Sequence, residues 1–180
     1  MLTGMGTVLA DNPKLDVRLV PTPRQPHLVG VDSRLETSLD AALFIASRAC
    51  YIYAAVPNDI KKQALEARGA TVIYLPATQA DGMPTGQVDL AAMLQDLARR
   101  EINELHIEAG ARLKGALIRA GLVDEFLVYL APKLIGQGRG MADLGALTDL
   151  SQAVPLTFVS TELVGLGLRV LARRQGREPF

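Results

Sequence analysis

The sequence predicts an α/β fold: a mostly parallel sheet flanked by helices, with an antiparallel hairpin at the C-terminal end. Three observations carry this. Short apolar runs such as Leu28-Val29-Gly30-Val31 read as buried strands. Between them lie stretches whose apolar residues recur at helical spacing, as Leu90, Met93, Leu94 and Leu97 do at i, i+3, i+4 and i+7. The last two β-like runs follow each other with no helix between them, so they pair antiparallel.

The elements follow in order. Leu2-Thr3-Gly4-Met5-Gly6 reads as the end of a strand running into a glycine turn. Thr7 is expected to cap a short helical turn through Val8, Leu9 and Ala10, which Asn12-Pro13 stops because a residue before proline leaves the α region. Leu15-Asp16-Val17-Arg18 is expected to be extended, and Pro21, Pro23 and Pro26 mark a loop. The strand 28–31 ends in the polar cluster Asp32-Ser33-Arg34. Residues 49–56 form a second strand, and Pro57-Asn58-Asp59 opens a helix with Ile60, Ala64 and Ala67 on its apolar face, closed by Gly69. A strand over 71–75 and a Gly-, Pro- and Thr-rich loop over 76–87 follow. Asp89 is the N-cap candidate of the helix that carries Leu90 to Leu97.

Next comes Leu105-His106-Ile107-Glu108, a short apolar strand ending in a carboxylate, then a turn at Gly110 and a helix with Leu113, Ala116, Leu117 and Ala120 on one face. Residues 125–131 form a strand that Pro132 ends. Residues 133–153 are glycine-rich and irregular, and the runs 156–162 and 166–172 form the closing hairpin through Val164-Gly165.

With 180 residues, half of them apolar, the chain is expected to be one domain, 1–180, with a sizeable core. Nineteen basic residues balance nineteen acidic ones, so no basic stripe marks a nucleic-acid partner. No apolar run approaches the roughly 20 residues of a membrane span. The single cysteine, Cys50, excludes a disulfide framework and reads as a small buried hydrophobe. One cysteine and two histidines do not assemble a structural zinc site. These traits are those of a cytoplasmic protein.

In an open parallel sheet, ligands sit at the carboxyl ends of the strands. Thr7, Asp32-Ser33 and Glu108-Gly110 all follow strands there. A helix N-terminus after Gly110 welcomes an anionic group. Glu108 by itself has two readings, a charge complement to the helix dipole or a ligand contact; its company on this edge favours the second. Asp32-Ser33 has two as well, a turn or a site. Gly4-Met5-Gly6 fails the dinucleotide fingerprint, and Gly110 to Gly115 lacks the lysine and hydroxyl of a P-loop. No Ser-His-Asp or Cys-His arrangement is visible. A reaction whose hard chemistry belongs to a bound cofactor needs few catalytic side chains, and hydride transfer is one such reaction.

Four motifs then occur in one order. They are Thr3-Gly4-Met5-Gly6-Thr7 through Asn12-Pro13 with Leu15 and Arg18, Val31-Asp32-Ser33-Arg34, Ile107-Glu108-Ala109-Gly110-Ala111 with Gly115-Ala116, and Ala120 to Glu125 with Ala131 to Gly136. In this the chain resembles the reductase domain of the bifunctional riboflavin-biosynthesis deaminase/reductase. The resemblance implies a dihydrofolate-reductase-like fold and an NADPH-dependent reduction of the ribosylamino side chain of a phosphorylated pyrimidine. It assigns Thr7, Asp11 and Ser33, with Gly110, Ala111, Arg112, Leu113, Lys114, Gly115 and Ala116, to the cofactor. It assigns Leu15, Arg18 and Glu108 to the substrate. No catalytic acid is assigned.

The resemblance also implies a homodimer, a deaminase domain upstream, and a further strand and helix ahead of Thr3-Gly4. A sheet without that strand is expected to expose unpaired backbone, and the chain to have weakened activity or to self-associate. A related enzyme acting on a pteridine or another pyrimidine, and a non-catalytic nucleotide-binding or dimerisation module, are the alternatives. Neither needs both Arg18 and Glu108.

Overall fold

The computed structural model describes residues 1–45 and 47–176. The chain packs as two compact units, Met1–Gly110 and Ala111–Phe180. No helix among the described residues is long and apolar enough to cross a membrane.

The first unit holds β1 (Leu2–Gly4), α1 (Met5–Asp11), β2 (Leu28–Val31), β3 (Cys50–Ala54), α2 (Asp59–Ala67), β4 (Ala70–Tyr74), β5 (Pro76–Thr78), β6 (Pro84–Val88) and α3 (Leu90–Arg99). Strands β1 to β4 pair in that order, all parallel, with Leu2 opposite Val29 and Leu28 opposite Cys50. On its other side β1 meets residues 106–108: the Leu2 N–H donates to His106 O at 2.7 Å and the Glu108 N–H to Leu2 O at 2.9 Å. The stretch expected to be a strand is thus a single parallel bridge at Ile107.

Val8, Leu28, Leu43, Ile52, Leu65 and Val72 are buried in one apolar cluster. Removing a buried leucine such as Leu65 to alanine costs about 2–5 kcal/mol. Cys50 belongs to this cluster, and burial pushes its thiol up to about 11, so it is an unreactive apolar group at neutral pH. Asn58 and Asp89 cap α2 and α3 by accepting the Lys61 and Ala92 N–H groups. Gly69, at φ +90, closes α2 as expected.

Three local expectations are corrected. Thr7 does not cap α1: the helix starts at Met5, straight out of β1, with Gly4 as N-cap and no side-chain cap bond. Residues 76–87 are not only a loop, because β5 and β6 pair there as a small antiparallel hairpin. Residues 15–18 belong to no strand, and Leu15 takes φ +50.

One polar tie joins α3 to β3. The buried Tyr53 hydroxyl donates to Asp96 Oδ2 at 2.7 Å, and Arg100 Nε donates to the same oxygen at 2.7 Å. The Arg100 hydrogen bond holds the Asp96 carboxyl below its ordinary range, with Tyr53 adding to it against a smaller cost of burial. Asp96→Ala leaves the tyrosine hydroxyl unpartnered and is expected to lower stability by about 2 kcal/mol in urea titration. Because the folded-state value is depressed, the tie's ionic contribution is complete above about pH 4 and fades as pH falls through that lowered value. The gap between wild type and Asp96→Ala should therefore narrow in acid.

The second unit holds α4 (Ala111–Arg119), β7 (Glu125–Leu130), β8 (Leu156–Val164) and β9 (Gly167–Arg174). Its sheet is antiparallel in the order β7-β9-β8, which contains the expected C-terminal hairpin. Opposed charges lock the register: Arg173 Nε donates to Glu125 Oε1 at 2.7 Å, and Arg169 pairs with Glu162. Val170 and Ala172 of β9 are buried, whereas every residue of β8 is exposed.

Candidate functional site

The segment after α1 is built by its backbone. Asn12 ends α1 in the left-handed region at φ +42, a conformation asparagine tolerates, and its Oδ1 accepts the Ala42 N–H at 2.8 Å. Pro13 follows, then Lys14, and Leu15 at φ +50, which costs a side chain of this kind on the order of 1 kcal/mol or more. The guanidinium of Arg48 answers it. Arg48 is 8% exposed and donates to the carbonyls of Lys14, Leu15 and Leu43, the last at 2.8 Å. Burial lowers its pKa from the ordinary arginine value, against the opposing effect of Cys50 and Asp16, and the three carbonyls replace the water it has lost.

Two residues on, Gln25 serves Val17 as a strand would. Its Oε1 accepts the Val17 N–H at 2.8 Å and its Nε2 donates to the Val17 carbonyl at 2.9 Å. Arg18 then projects outward, with Nη1 2.6 Å from Asp16 Oδ1 and a side chain 62% exposed. That hydrogen bond holds the Asp16 carboxyl below the usual carboxylate range.

Residues 13–20 line a pocket of about 440 Å³ with Met1, Pro26 and Glu108. Leu15 and Arg18, three positions apart, share this cavity with Glu108, ninety residues further along the chain. Met1 and Pro26 precede β1 and β2, and Glu108 pairs with Leu2 at the start of β1, so the pocket stands at the amino ends of these strands and not at the carboxyl edge where ligands were expected. The backbone of Glu108 is fixed by its bond to Leu2, and its carboxylate is half exposed, 3.6 Å from His106 Nε2. A half-exposed carboxylate at a cavity with a guanidinium in the same wall suits a ligand carrying hydroxyls and an anionic group.

The residues expected at a cofactor divide. Thr7 Oγ1 lies 3.8 Å from where a Cβ on Gly110 would sit, so the hydroxyl stands at contact distance beside bare backbone. Ser33 closes the end of β2 against β3 through its carbonyl, which accepts the Ala55 and Val56 N–H groups at 3.0 and 2.8 Å. Asp11 is exposed at the last residue of α1. Asp32 takes the turn reading: its buried carboxylate accepts the N–H groups of Glu36 and Thr37 and the Thr37 hydroxyl, at 2.7–2.9 Å. In the second unit, Ala111, Arg112, Leu113, Lys114, Gly115 and Ala116 form the first part of α4. Gly115 is buried, and a Cβ there would meet the Asp143 carbonyl oxygen at 1.8 Å, so close packing requires this glycine.

The sequence reading missed Arg48 and Gln25. Both bond main-chain groups, which have no residue-type signature, and each stands as an isolated polar residue with no spacing that singles it out.

Residues 1–170 match the RibD C-terminal domain family. The chain is 34% identical over 169 residues to the riboflavin biosynthesis protein RibD of Actinobacillus pleuropneumoniae, covering 92% of this chain and 43% of that protein. It is thus less than half the length of the curated relatives it matches. Its fold is similar to Acinetobacter baumannii RibD, with TM-score 0.79, 24% identity, and coverage of 97% of this chain and 46% of that one. It is also similar to a Thermotoga maritima protein described as a diaminohydroxyphosphoribosylaminopyrimidine deaminase/5-amino-6-(5-phosphoribosylamino)uracil reductase. There the TM-score is 0.71 and identity 20%, with 96% of this chain and 44% of that one covered.

Proposed function

Because the chain belongs to the RibD C-terminal domain family, we propose that it performs the reductase step of riboflavin biosynthesis. In that step the ribosylamino side chain of 5-amino-6-(5-phosphoribosylamino)uracil becomes the ribitylamino side chain, with hydride delivered to ribose C1′. The observation that carries the reading is that Leu15, Arg18 and Glu108 line the same 440 Å³ pocket.

Each residue has a task this substrate defines. The Glu108 carboxylate accepts hydrogen bonds from sugar hydroxyls, which are stronger to a charged acceptor than to a neutral one. Arg18, held through Nη1 by Asp16, offers its other guanidinium nitrogens to the 5′-phosphate in a bidentate grip. Leu15, with its backbone fixed by Arg48, gives the pocket an apolar wall. The result is orientation: the sugar carbon is held while the phosphate anchors the far end.

NADPH, when bound, supplies the hydride. The Thr7 hydroxyl, beside the side-chain-free backbone of Gly110, is the donor we assign to the nucleotide. Asp11 and Ser33 are the other residues of the first unit that the family pattern assigns to the cofactor; in the second unit the same pattern assigns Ala111 to Ala116, where the amides that open α4 suit an anionic group. The deaminase that prepares this substrate is the proposed functional partner; the name of the Thermotoga relative joins the two activities. The cytoplasm, which holds phosphorylated intermediates and reduced nicotinamide, is the proposed location.

The test is steady-state loss of NADPH absorbance with the phosphoribosylaminopyrimidine, its dephosphorylated form and dihydrofolate as substrates. The expected order is strong turnover, weak turnover and none. Reduction of dihydrofolate in preference to the pyrimidine would overturn the assignment.

We further propose that the chain works as a homodimer joined through β8. This edge strand exposes Phe158 (71%) and Leu163 (79%), with Leu156, Val159 and Val164 also exposed along it. An edge strand with that much apolar surface is a template for pairing with a second copy. The double variant Phe158→Asp/Leu163→Asp is expected to halve the mass measured by light scattering. An unchanged dimer mass would place the contact elsewhere.

A further inference from the structure

We infer that Arg48 and Gln25 are positioning residues: together they clamp the backbone of residues 14–17, so that Leu15 and Arg18 meet the ligand preformed. The inference rests on the proposed substrate pocket but reaches two residues outside its wall. Neither Arg48 nor Gln25 lines that pocket, and each acts on a residue that does.

The geometry is that of a two-point clamp. Arg48, buried beside β3, reaches 33 residues back to the carbonyl of Leu15 and 34 to that of Lys14. It also holds the Leu43 carbonyl, so the guanidinium is itself braced by its own neighbourhood. A planar fork reaching three carbonyls fixes both its own orientation and theirs. The carbonyls it holds flank the left-handed turn at Leu15, a conformation that persists only when its surroundings over-determine it. Asn12 Oδ1, bonded to the Ala42 N–H, ties the other end of the same segment to the same neighbourhood.

Gln25 fixes the second point. It satisfies both main-chain groups of Val17, the residue between Asp16 and Arg18. With Val17 held on both sides, Asp16 and Arg18 project from a set backbone, and their contact at 2.6 Å aligns the guanidinium before a ligand arrives. A loop ordered before binding does not lose that conformational freedom on binding, which raises affinity without a new contact.

The test uses the whole chain and two variants. Gln25→Met keeps length and removes both hydrogen bonds; Arg48→Lys keeps charge and loses the fork. Three quantities are measured: amide exchange by residue, affinity for ribose 5-phosphate by calorimetry, and the separate kcat and KM values with the phosphorylated pyrimidine and NADPH. In Gln25→Met, exchange at Val17 is expected to rise at least about tenfold while β2 and β3 amides keep their protection. Affinity for ribose 5-phosphate and KM for the pyrimidine should both worsen by about tenfold, with kcat and the KM for NADPH within about twofold. Arg48→Lys should act in the same direction.

Protection lost equally across β2 and β3 would reduce both residues to fold stability and overturn the inference. So would freed exchange at Val17 with affinity for ribose 5-phosphate unchanged, or unchanged exchange at Val17. If the clamp outcomes appear in exchange and ribose 5-phosphate binding but the wild-type chain reduces no pyrimidine, the clamp stands and the proposed function fails.

Discussion

Glu108→Gln is expected to lower kcat/KM for the phosphoribosylaminopyrimidine by about a hundredfold. The replacement keeps size and shape but turns a charged double acceptor into an amide that accepts on one side and donates on the other. Hydrogen bonds to a charged group contribute about 1.5–3 kcal/mol each, and a factor of ten corresponds to about 1.4 kcal/mol. Losing the charge on two sugar contacts therefore reaches about two decades. The fold should not notice. The Glu108 main chain is fixed by its bond to Leu2, and the side chain is 54% exposed, so the variant should melt with the wild type. Kinetics and a thermal melt on the same preparation check both halves.

Arg18→Ala comes second, with a loss of about the same size that depends on the substrate. With the phosphorylated pyrimidine, kcat/KM should fall by about a hundredfold through the lost charge-assisted pair. With the dephosphorylated form it should hardly change, because the contact is absent in both. Arg18→Lys should recover only part, since an ammonium cannot grip phosphate bidentately. The phosphate contact lies at a side chain 62% exposed, so raising salt should weaken it in the wild type and leave Arg18→Ala indifferent. Comparing the two substrates across a salt series separates this role from a general loss of structure.

The parallel sheet was legible because its strands are buried and their runs are nearly unbroken. Leu28–Val31, Cys50–Ala54 and Ala70–Tyr74 stand where apolar and β-branched residues cluster. The cap at Asp89 and the helix start within Pro57-Asn58-Asp59 were legible for a local reason too, a polar side chain just ahead of a periodic stretch. The β5–β6 hairpin was not, because Pro76, Pro84 and Gly86 speak for a loop and its residues are mostly exposed. Residues 105–108 look like a strand by composition, yet only Ile107 bridges β1.

The site divides along the same physical line. Leu15, Arg18 and Glu108 could be named from the family pattern, and they line one cavity. The frame behind them could not be read. Arg48 and Gln25 bond to carbonyls and an amide, groups every residue has, so only the folded chain brings them to Leu15 and Val17. Asp32 offered two readings in sequence, and its three bonds to Glu36 and Thr37 give it the turn.

The central claim is that this pocket holds a phosphorylated ribosylaminopyrimidine for hydride transfer at ribose C1′. Its most direct test is turnover with NADPH deuterated at the transferable position of the nicotinamide, followed by mass and nuclear magnetic resonance analysis of the product. The account predicts a ribitylamino product carrying a single deuterium at C1′. A product labelled on the pyrimidine ring, or no label transferred by an intact and folded chain, would contradict it.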